Sequence, residues 1–257
     1  MTEQRLVAND LARYFDGLRA LDGVSVEVRP RETVALIGPN GSGKTTLLNL
    51  VAGALRPTRG SVEIDGTETT GWSAHRVAAH GVARTFQNIR LFTHLPVIEN
   101  VAVGVTGRDD PAQRRDLRFA ARAILEFLDL DHLHDRLAGT LSYGDQRRVE
   151  LARALASCPR YLLLDEPAAG MNEAEVDLLL ATLRRIRDMF GPGILVIDHD
   201  LRLIMRMSER IYVLNEGKLI ATGTPTAVRS DPAVIKAYLG SAGSRAAAPD
   251  QLAKASD

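Results

Sequence analysis

The chain has 257 residues, of which 45% are hydrophobic and 25% charged, so its composition is that of an ordinary folded domain. This excludes a fully disordered or collagen-like protein, and the single cysteine excludes an intramolecular disulfide framework. The 32 basic and 32 acidic residues cancel, so bulk charge gives no support for binding to nucleic acid or anionic lipid.

The first third of the chain has strand patterns around a glycine-rich turn. Valines alternate with polar residues over 24–28, and the unbroken apolar run 33–37 predicts a strand buried on both faces. After the turn, the pattern predicts a helix over residues 44–55 that ends before Pro57. Residues 61–66 then predict a short edge strand and a turn.

The middle of the chain is helical and the strand pattern returns after it. Amphipathic helices are predicted at 117–130 and 146–157, strands at 161–164 and 193–197, a helix at about 174–189, and a hairpin over 211–221. The order is therefore an α/β core, a helical insert and more α/β core. The tail, residues 241–257, is rich in Ala and Ser and predicts disorder, with a docked final helix as the alternative.

The strongest motif is GPNGSGKTT at residues 38–46, which fits G-x-x-x-x-G-K-[ST] between a predicted strand and a predicted helix. Its glycines let the backbone bend around phosphates, Lys44 can reach the β- and γ-phosphates, and the Thr45 hydroxyl can bind Mg²⁺. An ordinary glycine-rich turn is the alternative. The predicted nucleotide ligands here are Gly38, Pro39, Asn40, Gly41, Ser42, Gly43, Lys44, Thr45 and Thr46.

Two carboxylates end the apolar run 162–164. Carboxylates at the C-terminal edge of a parallel strand point toward the crevice in which ligands bind. We expect Asp165 to hold Mg²⁺ and Glu166 to polarise the attacking water as a general base. A solvated acidic loop is the alternative.

A third motif, LSYGD at residues 141–145, precedes a predicted helix. Ser142 is a good N-cap and Gly144 gives access to the backbone, so this helix N-terminus is a second candidate anion site. One nucleotide seldom needs two such sites, which favours two copies acting face to face. Simple helix capping is the alternative.

The order and spacing of these three motifs resemble the ATP-binding subunit of an ABC transporter, over residues 6–240. The resemblance implies an α/β P-loop NTPase of the ABC ATPase type over residues 1–240, followed by the tail. It implies a RecA-like core at about 1–92 and 159–240, an antiparallel β part, and a helical subdomain at about 93–158. It also implies a head-to-tail dimer of ATPase subunits, with the same chain or a paralogue. In that dimer ATP lies between the phosphate loop of one subunit and the LSYGD motif of the other, held there by Ser142 and Gly144.

The resemblance adds three site residues. Phe15 matches an aromatic that stacks on adenine, Gln87 a glutamine that approaches Mg²⁺ and begins the permease-coupling region, and His199 a histidine that contacts the γ-phosphate. A core aromatic, a solvated loop amide and a structural histidine are the respective alternatives. The implied catalytic residues are then Lys44, Glu166 and His199, and the implied metal ligands are Thr45, Gln87 and Asp165.

Two motifs depart from the family's usual form. LSYGD replaces LSGGQ, so Tyr143 and Asp145 stand where Gly and Gln are usual, and Asn172 stands where an Asp is usual. An asparagine can still hydrogen-bond across an interface but brings no charge.

Longer segments resemble the branched-chain amino acid importer branch: RTFQNIRLF at 84–92, LSYGDQRR at 141–148, DEPAAGMN at 165–172 and DPAVIKAYLG at 231–240. This implies membrane permease subunits as partners, with a periplasmic binding protein acting indirectly. With no transmembrane or signal-peptide pattern, we expect a cytoplasmic chain at the inner face of the membrane. The alternatives are a urea or amide importer, a lipid or polysaccharide exporter, and a soluble ABC ATPase acting on nucleic acid or ribosomes. No basic patch is evident, so we expect no nucleic-acid partner.

The loop after Gln87 is unusually apolar for a connection between subdomains. Its apolar residues either seal the insert against the core or line a groove for a short permease helix. These residues are Ile89, Leu91, Phe92 and Leu95.

Overall fold

The computed structural model describes residues 3–105 and 114–241. Its strands are β1 (Leu6–Phe15), β2 (Leu18–Val28), β3 (Thr33–Ile37), β4 (Arg59–Ile64), β5 (Thr67–Glu68), β6 (Val82–Arg84), β7 (Tyr161–Asp165), β8 (Gly193–Ile197), β9 (Arg210–Asn215) and β10 (Lys218–Gly223). Its helices are α1 (Lys44–Val51), α2 (Ala74–Ala79), α3 (Val97–Val105), α4 (Arg114–Phe127), α5 (Tyr143–Ala156), α6 (Glu173–Phe190), α7 (Leu201–Met207), α8 (Pro225–Arg229) and α9 (Pro232–Ser241).

The strands form two sheets. One has the order β10-β9-β3-β8-β7-β6, in which all neighbours pair in parallel except β10, which returns antiparallel to β9. The other is antiparallel, with the order β2-β1-β4-β5. The predicted edge strand at 61–66 is wrong in one respect: the chain turns back after β4 and adds the two-residue β5, so β4 is paired on both sides.

Strand β3 is buried on both faces, as its unbroken apolar run predicts. Val34 and Leu36 pack in a cluster with the antiparallel sheet and α1, whereas Ala35 and Ile37 pack in a second cluster with the helices of the middle and the C-terminal part. Because strand side chains alternate in direction, one short strand joins the two cores and fixes the position of the turn that follows it.

Three helices have boundaries that differ from the prediction. Helix α4 runs over Arg114–Phe127 rather than 117–130, and the left-handed conformation of Asp129 (φ +57°) prevents its continuation to 130. Helix α1 ends at Val51 rather than 55, because Gly53 takes a left-handed conformation (φ +70°) and the Ala54 N–H returns to the Asn49 carbonyl. Helix α5 begins at Tyr143 rather than 146, because the Ser142 side chain accepts from the Asp145 N–H. The LSYGD motif therefore forms the cap and first turn of a helix.

The predicted helical insert contains α3, α4 and α5, which contact one another. Their buried side chains belong to the same hydrophobic cluster as those of the parallel sheet, so the insert shares its core with the sheet. Among the described residues, no helix is both long and apolar enough to cross a membrane. The predicted tail lies outside the described residues, except for Ser241, which ends α9.

Candidate functional site

The phosphate loop connects β3 to α1, and it packs too closely against the rest of the protein for a side chain at Gly38 or Gly43. Gly43 has φ +103°, and a Cβ on it would lie 2.5 Å from the Ala20 carbonyl oxygen, so only glycine fits. The Ser42 hydroxyl is buried and has no hydrogen-bond partner among the described residues. Its backbone is held by the Gly217 N–H, which donates to the Ser42 carbonyl. A tight loop with an unpartnered hydroxyl and a helix N-terminus fits an anionic group.

Lys44 folds back over this loop. Its Nζ donates to the carbonyls of Gly38, at 2.7 Å, and Pro39, at 3.0 Å. Burial lowers the pKa of Lys44, while the nearby carboxylates of Glu166 and Asp165 raise it. Since an ammonium has three donors, one remains for a phosphate oxygen.

Asp165 is buried at the end of β7 and is held by an arginine. Arg84 Nη2 donates to Asp165 Oδ2 at 2.9 Å, and Arg84 Nη1 donates to Asn49 Oδ1 on α1 at 2.6 Å. Asp165 Oδ1 accepts no hydrogen bond from the residues that the structure describes, so this oxygen is free for another partner.

Glu166 is the point at which three loops meet. Its backbone has φ +49°, a strained conformation for a glutamate, and its N–H donates to the Ile197 carbonyl. Gln87 Nε2 donates to Glu166 Oε2 at 3.0 Å, and His199 Nδ1 lies 3.7 Å from the same oxygen. These residues follow β6, β7 and β8, which are neighbours in the parallel sheet, so the topology gathers them at one sheet edge.

Asp198 lies beside this group and is buried. Burial raises the pKa of Asp198, although the N–H groups of Asp200 and Ala168 donate to its two oxygens. The Asp198 carboxylate therefore connects the loop after β8, which carries His199, to the loop after β7, which carries Glu166.

Ser142 and Gly144 are not part of this group. Ser142 Oγ donates to Asp145 Oδ2 and accepts from the Asp145 N–H, so its contacts stay within the first turn of α5. Gly144 packs against Glu175, because a Cβ on it would lie 2.5 Å from the Glu175 carboxylate. Asn172 caps α6, with its side chain accepting from the Glu175 N–H.

Phe15 lies at the tip of the first hairpin and is not a core residue. Its ring stacks on the Arg13 guanidinium, whose carbon is 4.5 Å from the ring centroid. It pairs with Leu18 across the turn, and Ala20, two residues further along, contacts the phosphate loop at Gly43. The hairpin that carries this aromatic ring thus reaches the phosphate loop through its second strand.

A cavity of about 570 Å³ also adjoins the phosphate loop, lined in addition by Asn215, Glu216 and Lys236. None of Gln87, Glu166 and His199 lines it, so it is not where the predicted catalytic groups meet.

Sequence reasoning missed two arginines, Arg84 and Arg147. Arg84 holds Asp165, and Arg147 donates to the backbone carbonyls of Phe86 and Gln87 from the first turns of α5. Each lies close in sequence to a recognised motif, but Asp165 lies 81 residues from Arg84, and Phe86 and Gln87 lie 61 and 60 residues from Arg147. In the sequence, Arg84 lies three residues before Gln87, and Arg147 lies five residues after the helix cap Ser142. Such proximity to a motif is only a weak signal of a role.

Two family models match the chain. The model described as ABC transporter matches residues 21–169, and the model described as Branched-chain amino acid ATP-binding cassette transporter matches residues 218–244. The first contains the phosphate loop, Gln87, LSYGD and the two carboxylates; the second runs from β10 beyond the end of α9.

Curated relatives match over most of the chain. The high-affinity branched-chain amino acid transport ATP-binding protein BraF of Pseudomonas aeruginosa is 43% identical, covering 94% of this chain and 100% of its own length. The lipopolysaccharide export system ATP-binding protein LptB of Haemophilus influenzae is 38% identical, covering 91% and 97%.

Solved structures agree with the fold. The ADP conformation of MJ1267, an ATP-binding cassette of an ABC transporter, superposes with a TM-score of 0.85 at 32% identity, covering 93% of this chain and 100% of that one. The dimeric structure of MJ0796, a bacterial ABC transporter cassette, superposes with a TM-score of 0.77 at 25% identity, covering 86% and 98%.

Proposed function

The chain belongs to the ABC transporter ATP-binding family, and from this membership we propose that it powers import of branched-chain or related amino acids through a membrane permease. It is an ABC-type ATPase. The observation that carries the mechanism is the meeting of Gln87, Glu166 and His199 at the sheet edge that also carries the phosphate loop. The choice of substrate class is supported by the relatives.

The phosphate loop binds the ATP phosphates. Backbone N–H groups at the start of α1 and the remaining donor of Lys44 point to anionic oxygens, and the buried Ser42 hydroxyl gains a partner there. Phe15 supplies a ring for stacking on adenine, with Arg13 supporting the opposite face. Bound in this way, the terminal phosphate would face the sheet edge.

Mg²⁺ fits the donor set near the phosphate loop. The Thr45 hydroxyl, the Gln87 amide oxygen and the free oxygen of Asp165 are hard oxygen ligands of the kind that Mg²⁺ prefers beside phosphates. When bound, the metal neutralises charge on the phosphate oxygens. The protein's part is to hold these three oxygens on separate elements at one edge.

Glu166 is the general base. Its Oε2 is oriented by Gln87 and lies near His199, which is mostly exposed and free to reach a phosphate. A carboxylate held in this way can accept a proton from the attacking water. Removing such a base slows hydrolysis, because this proton transfer then lacks its acceptor.

Two subunits complete the site. Ser142 and Gly144 lie outside the group of catalytic side chains of their own chain, at the N-terminus of α5, whose helix dipole favours an anion. The protein MJ0796 is dimeric, which supports pairing of two subunits. In a head-to-tail pair these residues would reach the ATP of the partner subunit. Closure and reopening of such a pair would move the permease.

The experiment is reconstitution of transport. The chain is co-expressed with a candidate permease and assembled in vesicles with ATP inside and the periplasmic binding protein and labelled leucine outside. ATP-dependent uptake of leucine is expected, and it should disappear in the Glu166→Gln variant. ATP hydrolysis without uptake of leucine, isoleucine or valine would contradict the substrate class and favour another importer or an exporter such as that of LptB.

A further inference from the structure

Arg84 joins the two sides of the candidate metal site. It ends β6, next to β7 in the parallel sheet, and its guanidinium lies between α1 and the end of β7. One terminal nitrogen donates to Asp165 Oδ2 at 2.9 Å, and the other donates to Asn49 Oδ1 at 2.6 Å. The side chains of Arg84 and Asp165 are only 10% and 5% exposed.

The partners of Arg84 belong to the elements that carry the candidate Mg²⁺ ligands. Asn49 lies on α1, which begins with Lys44 and Thr45, and Asp165 ends β7. The planar guanidinium can contact both in a fixed geometry, which a flexible ammonium cannot do. Arg84 therefore connects the helix that begins with Lys44 and Thr45 to the Asp165 carboxylate.

Arg84 also directs the carboxylate. It contacts Oδ2, while Oδ1 accepts no hydrogen bond from the described part of the chain. A carboxylate that is held through one oxygen presents the other in a fixed direction, and partners of this kind orient metal ligands.

We propose that Arg84 is a positioning residue for Mg²⁺: it holds Asp165 through Oδ2 and ties it to α1 through Asn49, so that Oδ1 faces the metal. The inference rests on the proposed function, in which Asp165 binds Mg²⁺. Loss of Arg84 should then raise the Mg²⁺ requirement of the enzyme and leave metal-free nucleotide binding almost unchanged.

The test is a Mg²⁺ titration of ATP hydrolysis in the purified full chain, at saturating ATP, with the Arg84→Met variant. Removing a group that orients a metal ligand costs about 10–100-fold in metal affinity, so half-saturating Mg²⁺ should rise by about tenfold or more. A second readout is the thermal shift on adding ADP, in EDTA and in Mg²⁺. The shift in EDTA should match that of the unaltered chain, and the extra shift from Mg²⁺ should shrink.

Arg90→Met is the matched control. Arg84 and Arg90 flank the same ring, Phe86, at 5.1 and 4.1 Å, but the Arg90 side chain is exposed and makes no contact with Asp165. Arg90→Met removes the same positive charge as Arg84→Met. Its half-saturating Mg²⁺ concentration should stay within about twofold of that of the unaltered chain, because an exposed charge contributes little.

Two milder variants keep the proposal testable if Arg84→Met fails to fold. Asn49→Ala removes the link to α1, and Arg84→Lys keeps the charge but not the two-sided contact, so both should raise half-saturating Mg²⁺ by less than Arg84→Met. An Mg²⁺ requirement that matches Arg90→Met in every variant that folds would overturn the role of Arg84. An unaltered chain whose hydrolysis ignores Mg²⁺ would overturn the metal site of the proposed function, and this inference with it.

Discussion

Glu166 and Asp165 are adjacent in sequence but differ in surroundings. Asp165 is buried and bound to an arginine, whereas Glu166 accepts from an amide and lies near a histidine at the edge of the sheet. The left-handed backbone of Glu166 produces this difference, because it turns the chain directly after the strand and sends the second carboxylate toward the loops of Gln87 and His199. A metal ligand and a base can thus occupy consecutive positions.

The Glu166→Gln variant should bind ATP but turn over at least about 10²-fold more slowly, the scale of a missing general base. Glutamine keeps the size and can still accept from Gln87, so the loop should stay in place. Steady-state ATPase and binding of labelled ATP are the measurements, with Glu173→Gln, an exposed carboxylate at the start of α6, as the control. Near-normal turnover would remove Glu166 from the mechanism.

The Lys44→Ala variant, by contrast, should lose affinity for ATP. Its ammonium lies partly buried on the loop, and a charged hydrogen bond of about 1.5–3 kcal/mol corresponds to roughly 10–100-fold in Kd for ATP. Equilibrium binding of labelled ATP measures this, and Lys218→Ala, on the exposed start of β10, should bind like the unaltered chain. Equal affinities in the two variants would contradict the phosphate contact.

At the scale of elements, Arg147 ties helix α5 to the loop after β6. It donates to the carbonyls of Phe86, at 2.5 Å, and Gln87, and it also donates to Glu150 Oε2 at 3.2 Å. Burial raises the pKa of Glu150, although its arginine neighbours oppose this. Because the same loop carries the Gln87 side chain to Glu166, one buried guanidinium connects the Gln87 loop to Tyr143 of the LSYGD turn.

Arg147→Met should lower both stability and turnover. It leaves Glu150 with Arg153 at 3.8 Å as its remaining ion pair, and breaking a buried pair costs about 3 kcal/mol or more. That corresponds to a fall in Tm of roughly 6–12 °C in a chain of this size. Arg122→Met, which breaks exposed ion pairs on α4, should change Tm by no more than about 2–4 °C.

A double variant separates packing from coupling. Arg147→Met with Glu150→Leu removes the uncompensated carboxylate, so part of the lost Tm should return. The contacts with the Phe86 and Gln87 carbonyls stay lost, so ATPase activity should remain low. Recovery of activity together with Tm would show that Arg147 acts on stability alone.

The sequence predicts those elements whose packing follows directly from their own apolar and glycine pattern. The run 33–37 and the GPNGSGKTT turn needed only apolar character and glycines, and their places in the structure match. The end of α1 depends on a left-handed Gly53 that packs against residues 72–77, and this contact is not visible in a window around the helix. Arg84 and Arg147 likewise gain their roles from distant partners, so no local pattern could single them out.

At the scale of the whole molecule, the apolar loop after Gln87 divides between two roles. Leu91 packs partly buried against the core, whereas Phe92 is 51% and Leu95 40% exposed. The Ala138 N–H donates to the Leu95 carbonyl, which brings Leu137, 46% exposed, beside them. Leu91 therefore seals the insert, as one sequence interpretation holds, whereas Phe92, Leu95 and Leu137 form an exposed apolar patch, here called the Phe92 patch. That this patch receives a permease helix stays a prediction.

The backbone under the Phe92 patch is rigidly held. The Phe92 N–H donates to Asn100 Oδ1 at 2.7 Å, and Asn100 Nδ2 donates back to the carbonyls of Phe92, Leu95 and Pro96. A loop that is already ordered loses little conformational entropy when a partner binds. A rigid loop is therefore better suited to docking than a loosely packed one. Since the patch follows directly after Gln87, a permease segment docked there would sense the state of the ATP site.

Phe92→Ala should therefore weaken assembly with the permease and leave the isolated subunit intact. An aromatic anchor in such an interface contributes about 2 kcal/mol, which corresponds to roughly a 30-fold weaker complex. ATP binding and Tm should stay close to those of the unaltered chain, because half of the ring is already exposed to solvent. Co-purification with the permease, beside a thermal melt, measures both.

Phe119→Ala is the matched control, because this ring is 77% exposed on α4 and lies outside the Phe92 patch. It removes the same apolar area without touching the proposed interface, so it should assemble normally. Equal assembly of the two variants would place the permease contact elsewhere on the subunit. A large fall in Tm in Phe92→Ala would show instead that this ring stabilises the junction of insert and sheet, as Leu91 does.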